Sequence, residues 1–90
     1  MRRKLKVYGW TGRRHEANAP HHQTREIMAA TSIAEIVRLL GCRRSDLFNV
    51  CETGNAIEIA TAMTEPGINF WKELDDVRGL FRRSTGEAQP

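Results

Sequence analysis

Alternating apolar and polar residues mark the chain's first strand-like segment. There, Leu5 and Val7 fall on one side, whereas Lys6, Tyr8 and Trp10 fall on the other, because successive side chains of a strand point to opposite faces. Alternation of this kind, or a short run of apolar residues bounded by turn residues, predicts four strands in all. The predicted strands are 5–10, 25–30, 46–51 and 68–74.

Apolar residues recur at helical spacing in two further segments, and each segment opens with the same capping signature. The first begins at Ser32 and ends at Gly41, and the second begins at Asn55 and ends at the Pro66-Gly67 pair. In both, a glutamate follows the cap residue by three positions, which is the spacing for reciprocal hydrogen bonds between side chain and backbone. Glycine then supplies the left-handed turn that ends a helix.

The apolar residues of each predicted helix define the side that we expect to pack on the sheet. In the first helix these are Ile33, Ile36, Val37 and Leu40. In the second helix they are Ala56, Ile59, Ala60 and Met63, with Ile57 at the flank. Both helices are therefore predicted to bury an apolar side and to expose the opposite side.

The order strand, strand, helix, strand, helix, strand predicts an α+β fold. We expect a two-layer sandwich in which a four-stranded mixed sheet carries two helices on one face, with the strand order left open. A chain of 90 residues has room for one domain, which we place at 1–76. Residues 77–90 are predicted to form a C-terminal turn and a flexible tail.

Residues 11–24 contain no large apolar side chain and are predicted to form a long loop. Loops of this length in small domains are usually functional or disordered. His15, His21 and His22 lie in it, but their spacing matches no common metal-binding motif. We therefore expect no metal site and no cofactor.

The charges of the chain are divided between its two halves. Residues 1–25 carry seven Lys or Arg against Glu16 alone, a net charge of +6. Residues 46–76 carry seven Asp or Glu against Lys72 alone, a net charge of −6. The basic end suits phosphate or an acidic partner, the acidic end suits a basic groove, and ordinary solvated surface remains an alternative for both.

Cysteine usage and hydropathy favour a reduced, cytoplasmic protein. Cys42 and Cys51 are the two cysteines, and we expect both to be reduced, with Cys51 as a small core residue. No stretch approaches the roughly 20 apolar residues that span a membrane. The basic N-terminal residues lead into Leu5-Lys6-Val7 rather than an unbroken apolar run, so no secretory signal is predicted.

No motif in the sequence pairs a nucleophile with a base, and we therefore expect no catalytic residues. The best functional candidates are basic and aromatic side chains that nucleic acids engage through phosphate contact and stacking. Tryptophan, tyrosine and arginine also dominate the anchors of protein interfaces, so both kinds of partner stay open. The predicted partner-binding residues are Lys6, Tyr8, Trp10, Arg13, Arg14, Arg25 and Trp71.

Several short phrases of the chain, taken together, resemble small accessory proteins of phages and prophages. The phrases are 6–12 (KVYGWTG), 23–27 (QTREI), 52–55 (ETGN), 66–67 (PG) and 70–71 (FW). Across roughly residues 4–76, this resemblance implies a gene of a mobile element. Such proteins often act by occupying a host machine, including CRISPR–Cas effectors.

The leading hypothesis is therefore a non-catalytic protein that binds and blocks a host protein complex, with a defence nuclease among the candidate targets. The alternative is a nucleic-acid-binding regulator that uses the basic, aromatic N-terminal face. A homodimer also stays open, and no membrane contact is expected.

Overall fold

The computed structural model describes residues 4–16, 19–75 and 79–84. Its strands are β1 (Lys6–Glu16), β2 (Ala19–Ala30), β3 (Phe48–Glu52), β4 (Phe70–Glu73) and β5 (Arg82–Arg83). Its α-helices are α1 (Ile33–Leu40) and α2 (Ala56–Met63), and a 3₁₀ turn, Arg44–Asp46, precedes β3. The α+β class is confirmed. Leaving the 3₁₀ turn aside, the elements from β1 to β4 occur in the predicted order of strands and helices.

The strands form one sheet in the order β3-β1-β2-β4-β5. Every pairing is antiparallel, so the prediction of a four-stranded mixed sheet is wrong in both strand number and direction. The fifth strand is a pair of residues, Arg82–Arg83, in the segment for which a turn and a flexible tail were predicted. Two exposed arginines carry no apolar alternation, so no pattern in the sequence indicated β5.

The prediction of a long loop over 11–24 is also wrong, because β1 and β2 continue through this segment as a hairpin. Their pairing runs from Lys6↔Ala30 to Glu16↔Ala19, with one irregularity between Arg14 and Glu16. A hairpin is held by backbone hydrogen bonds between its strands. Within this segment, the described side chains of Thr11, Arg13 and Gln23 belong to neither core cluster, so these positions need no apolar alternation.

The two helices lie on opposite faces of the sheet, and the prediction of two helices on one face is wrong. Tyr8 and Met28, which are cross-strand partners, pack in one core cluster with Ile36 of α1. Val7 and Ala29, also partners, pack in a second cluster with Ala62 of α2. Because neighbouring residues in a strand point to opposite faces, β1 and β2 are covered on both sides.

Helix α1 begins and ends where its sequence predicts, but Leu40, expected on its packing side, is 38% exposed, and Glu35 bonds to Thr31, one residue ahead of the cap. The Ser32 hydroxyl accepts a hydrogen bond from the backbone N–H of Glu35 at 3.1 Å, and Glu35 accepts one from the N–H of Thr31 at 2.8 Å. Gly41 ends the helix in the left-handed region at φ 65°, where glycine is the least strained residue. Ile36 is fully buried and anchors the helix to its cluster.

Both edges of the sheet carry features that discourage pairing with a further strand. At one edge, the Arg82 guanidinium lies 5.1 Å from the Trp71 ring centroid, and Arg83 pairs with Glu65 at 2.8 Å. At the other edge, Asn49 adopts φ 59° near a register irregularity in the pairing of β1 with β3. Short charged edges and bulges are devices by which sheets avoid edge-to-edge association.

Candidate protein-binding surface

Helix α2 faces the sheet with a different side from the one its sequence predicts. Half of its cap is as expected, since Asn55 Oδ1 accepts a hydrogen bond from the N–H of Glu58 at 3.0 Å. The reciprocal half differs, because the Asn55 N–H donates to the Thr53 hydroxyl at 3.1 Å. Ala62 is fully buried against the sheet, and the Glu58 side chain is only 12% exposed. The expected inward residues instead lie at the surface or at its flank: Ala56, Ala60 and Met63 are exposed, and Ile59 is 37% exposed.

An ion pair between α2 and β2 accounts for this orientation. The Arg25 guanidinium donates to both carboxylate oxygens of Glu58, through Nε and Nη2, at 2.8 Å each. The Thr53 hydroxyl donates to the same carboxylate at 2.7 Å. A two-pronged arginine–carboxylate contact fixes direction as well as distance, so it turns the single charged residue of α2 towards the sheet.

The environment of this pair favours the charged form of both partners. Hydrogen bonding from Arg25 lowers the pKa of Glu58, outweighing the opposing effect of desolvation, and Thr53 and the nearby charge of Lys72 act in the same direction as Arg25. The Glu58 hydrogen bonds likewise raise the pKa of Arg25. The pair is therefore an ionised anchor at neutral pH.

Gly9 leaves the space that the Arg25 side chain occupies. A Cβ built on Gly9 overlaps the Arg25 guanidinium, which lies across β1 on its way to α2. Glycine within a strand often marks a close approach by another group, and here the group that makes the approach is this guanidinium. Gly9, Arg25 and Glu58 thus form one structural unit, which we call the α2 anchor.

With the anchor pointing inward, the outward side of α2 is apolar. Ile57 is 70% exposed and Met63 is 43% exposed, while Ala56 and Ala60 are exposed between them. We call Ala56, Ile57, Ile59, Ala60 and Met63 the α2 surface. A helix turns about 100° per residue, so these side chains cover an arc of about 160° that contains no charged group.

Two of the residues predicted to bind a partner belong to the core instead. Tyr8 and Trp10 do share one face of β1, as predicted, but α1 covers that face. They are 9% and 4% exposed, so their rings are not presented to solvent. The strand alternation identified the shared face, but it did not show which face a helix would cover.

The other predicted residues with described side chains differ in their surroundings. Lys6 and Arg13 are exposed, whereas Arg25 is held in the α2 anchor and Trp71 is half-buried against Arg82. The side chain of Arg14 lies outside the described part of the structure. Of the predicted aromatic and arginine side chains that the structure describes, all except Arg13 thus serve in packing or pairing.

Glu26 is a charged side chain that the structure buries. It is 4% exposed and accepts a hydrogen bond from the Thr24 hydroxyl. A Cβ at Gly12 would approach Glu26 Oε2 to 2.9 Å, so glycine leaves room for the carboxylate. This group lies on the α1 face of the sheet, across from the α2 surface.

A cleft follows the base of the hairpin, away from α2. One part, of about 470 Å³, is lined by Thr11, Gly12, Arg13, Gln23, Asp46 and Phe48. A smaller part, of about 240 Å³, shares Gly12, Arg13 and Asp46 with it and reaches Trp10 and Glu26. No α2 residue contributes to either lining, so the cleft and the α2 surface are separate features.

The described residues contain no cluster of three or more His, Cys, Asp or Glu side chains suited to a metal ion. The histidine side chains considered for such a site lie outside the described part. Cys42 and Cys51 are free thiols. Cys51 is exposed, which corrects its predicted role as a core residue.

No helix among the described residues is both long enough and apolar enough to cross a lipid bilayer.

Sequence reasoning missed the α2 surface because it assigned the apolar residues of α2 to the core. Six of the eight residues of α2 are apolar, so the helix has no clear polar side to mark as outward. Its only charged residue, Glu58, was interpreted as a capping residue alone. Comparisons with protein-family models, curated proteins and solved structures return no match for the chain.

Proposed function

We propose that the protein is a non-catalytic binding module that attaches to a host protein complex through the α2 surface. The observation that carries this proposal is the reversed polarity of α2, whose charged side chain points inward while its apolar side chains point outward. A helix that is apolar on most sides is ordinarily buried. The outward side of α2 lacks such cover among the described residues, and a partner protein would supply it.

The energetics support this interpretation. Burying an aliphatic side chain the size of Ile57 is worth about 1.5–3 kcal/mol relative to leaving it exposed. A single exposed apolar residue is common, but contiguous apolar patches on a small protein mark interaction sites. The α2 surface places two large and two small exposed apolar residues side by side, with Ile59 at the flank.

The class of partner follows from the resemblance to phage accessory proteins. Proteins of that kind often act by occupying a host machine, which places the proposed contact in the cytoplasm of the bacterial host. We therefore propose a host protein complex as the partner, with a CRISPR–Cas or other defence nuclease assembly as the class of target to test first.

Capture from a bacterial lysate tests the proposal. The tagged wild-type chain should retain a host protein with and without nuclease treatment, because the contact is with protein. Ile57→Ser should lose that protein, whereas Leu39→Ser, at a 46% exposed position of α1, should retain it. Equal capture by all three chains would show that the α2 surface is not the contact.

Nucleic-acid binding is the second candidate, and exposed basic side chains favour it. Lys4, Lys6, Arg13 and Arg44 are exposed and form no ion pair with other described residues. Because Tyr8 and Trp10 are buried, this candidate relies on phosphate contact without stacking on those rings. Affinity for duplex DNA should then fall with salt at a log–log slope near −0.9 per phosphate contact. No binding at low salt would exclude it.

A further inference from the structure

We infer that the partner encloses α2 in a concave apolar groove. This inference rests on the proposed function, because it specifies the shape and chemistry of the surface that meets α2. The alternatives are a flat apolar surface and the α2 surface of a second copy of this chain.

The width of the apolar arc favours a groove. A helix that packs on one neighbour needs an apolar stripe at least about 100° wide. The α2 surface covers about 160°, from Ile59 at one side to Ile57 at the other. A flat partner leaves Ile57 or Ile59 in water, whereas the two walls of a groove cover both.

The order of side-chain sizes across the arc also fits a groove. Ala56 and Ala60, four residues apart and therefore on one line along the helix, lie in the middle. Larger side chains flank them, with Ile57 on one side and Ile59 and Met63 on the other. The floor of a groove can therefore approach the α2 backbone closely, while its walls hold the flanking side chains.

The charges indicate that the groove is uncharged along its floor. Glu58 is turned towards Arg25, so the enclosed side of α2 brings no charged group into the interface. Charges occur near the two ends of the helix instead: Glu52 is exposed before it, and the Glu65–Arg83 pair follows it. An apolar groove with polar rims matches this arrangement and the usual anatomy of interfaces.

The area that α2 offers argues against a second copy as the occupant. Eight residues of helix are about 12 Å long and 10–12 Å wide, so the arc presents on the order of 200–300 Å². A stable interface usually buries about 800 Å² on each partner. Two convex helices meeting along α2 alone fall well short of that area, whereas the rims of a groove extend the contact beyond the helix.

Photo-crosslinking around the arc tests the inference. A benzophenone amino acid is placed in the full-length chain at Ile57, Ile59 or Ala60, and at exposed Ala34 of α1 as the control. After irradiation in a bacterial lysate, the three α2 positions should label the same host polypeptide, and the Ala34 position should not.

Each other outcome has a distinct meaning. If Ala60 and only one of Ile57 and Ile59 label the host polypeptide, the partner surface is flat. If the chain labels itself, the partner is a second copy. Either outcome overturns the inference of a groove. Labelling of no polypeptide from any α2 position overturns the proposed function itself. Circular dichroism melting of each labelled chain confirms that it remains folded.

Enlarging the middle of the arc gives an independent test. Ala60→Leu adds apolar surface but fills the space that the groove floor needs. Capture of the labelled host polypeptide should fall at least tenfold, while Ala34→Leu on α1 leaves capture unchanged. Unchanged or stronger capture by Ala60→Leu would indicate a flat apolar contact and overturn the groove.

Discussion

The two helices have the same length but are held to the sheet by different forces. Helix α1 buries an apolar stripe centred on Ile36 and exposes polar residues such as Arg38. Helix α2 buries Ala62, is held by a partly buried ion pair, and exposes Ile57 and Met63. Apolar burial therefore secures α1, whereas α2 depends largely on a directed polar contact that leaves its apolar side chains free for another molecule.

This difference suggests how a small domain can present an apolar helix while keeping a defined fold. If burial of its own apolar residues held α2, those residues would be unavailable to a partner. The bidentate Arg25–Glu58 contact, supported by Thr53, orients the helix without using them. The predictions below test the two modes of attachment separately.

The largest expected effect is at the apolar attachment of α1. Ile36→Ala removes a fully buried side chain and should lower the free energy of unfolding by about 3 kcal/mol. Urea denaturation followed by circular dichroism measures it. Leu39→Ala, at a 46% exposed position of the same helix, is the control and should have a much smaller effect. Similar losses for both variants would contradict the packing of α1 described above.

The next effect concerns the polar attachment of α2. Glu58→Gln weakens hydrogen bonds to Arg25 and Thr53 and should cost about 2 kcal/mol at neutral pH. The matched control is Glu65→Gln, which removes a carboxylate from an exposed pair with Arg83 and should barely change the urea midpoint. Equal losses for the two variants would show that the α2 anchor contributes no more than a surface pair.

The same anchor predicts a dependence of stability on pH. Because the pKa of Glu58 is lower in the folded chain than its ordinary value of 4.5, ionised Glu58 stabilises the fold fully above that value. This contribution is lost as the pH falls through the lowered pKa. The difference in unfolding free energy between wild type and Glu58→Gln should therefore narrow from pH 7 to pH 3. A constant difference across this range would contradict the anchor.

Loss of a helix cap should have a smaller effect, and the two helices should respond differently. Ser32→Ala and Asn55→Ala should each cost about 1 kcal/mol. Because α2 has less apolar contact with the sheet, we expect Asn55→Ala to accelerate amide hydrogen exchange mainly within α2. Exchange that accelerates equally in both helices would contradict the weaker apolar attachment of α2. Unchanged stability for both variants would contradict the contribution of the two caps.

The smallest effect on stability is expected at the α2 surface. Ile57→Ser changes a 70% exposed side chain, so the free energy of unfolding should stay within about 0.5 kcal/mol of wild type. Urea denaturation of the isolated chain measures it. A loss near that of Ile36→Ala would show that Ile57 is buried in solution and would remove the proposed binding surface.

Local sequence signals predicted the helices well. Ser32 and Gly41 marked α1, and the capping signature at Asn55 marked α2, because these residues act on backbone groups within a few positions. The sequence also contained a sign that β2 is covered on both faces. Its consecutive apolar residues 27–30 are typical of a doubly buried strand, although we assigned both helices to one face.

The orientation of α2 was not predictable from local pattern, because it depends on a contact between residues 33 positions apart. Arg25 was counted among exposed binding residues, and Glu58 among capping residues. Nothing within either segment indicates that the two meet. The hairpin over 11–24 was missed for a related reason, since backbone pairing between polar strands leaves no apolar periodicity.

Because the edge strands β3 and β5 discourage pairing with a further strand, the exposed apolar residues are less able to promote fibre growth by strand addition. An open strand edge accepts another strand and exposes a new edge, so addition repeats without end. The backbone groups of a helix bond mostly within the helix, and a groove that closes over α2 leaves no fresh site behind. Phe48 of β3 is also exposed, at 62%, and it lies next to the irregular Asn49. Contact through α2, as proposed, would therefore favour complexes of fixed stoichiometry over fibres.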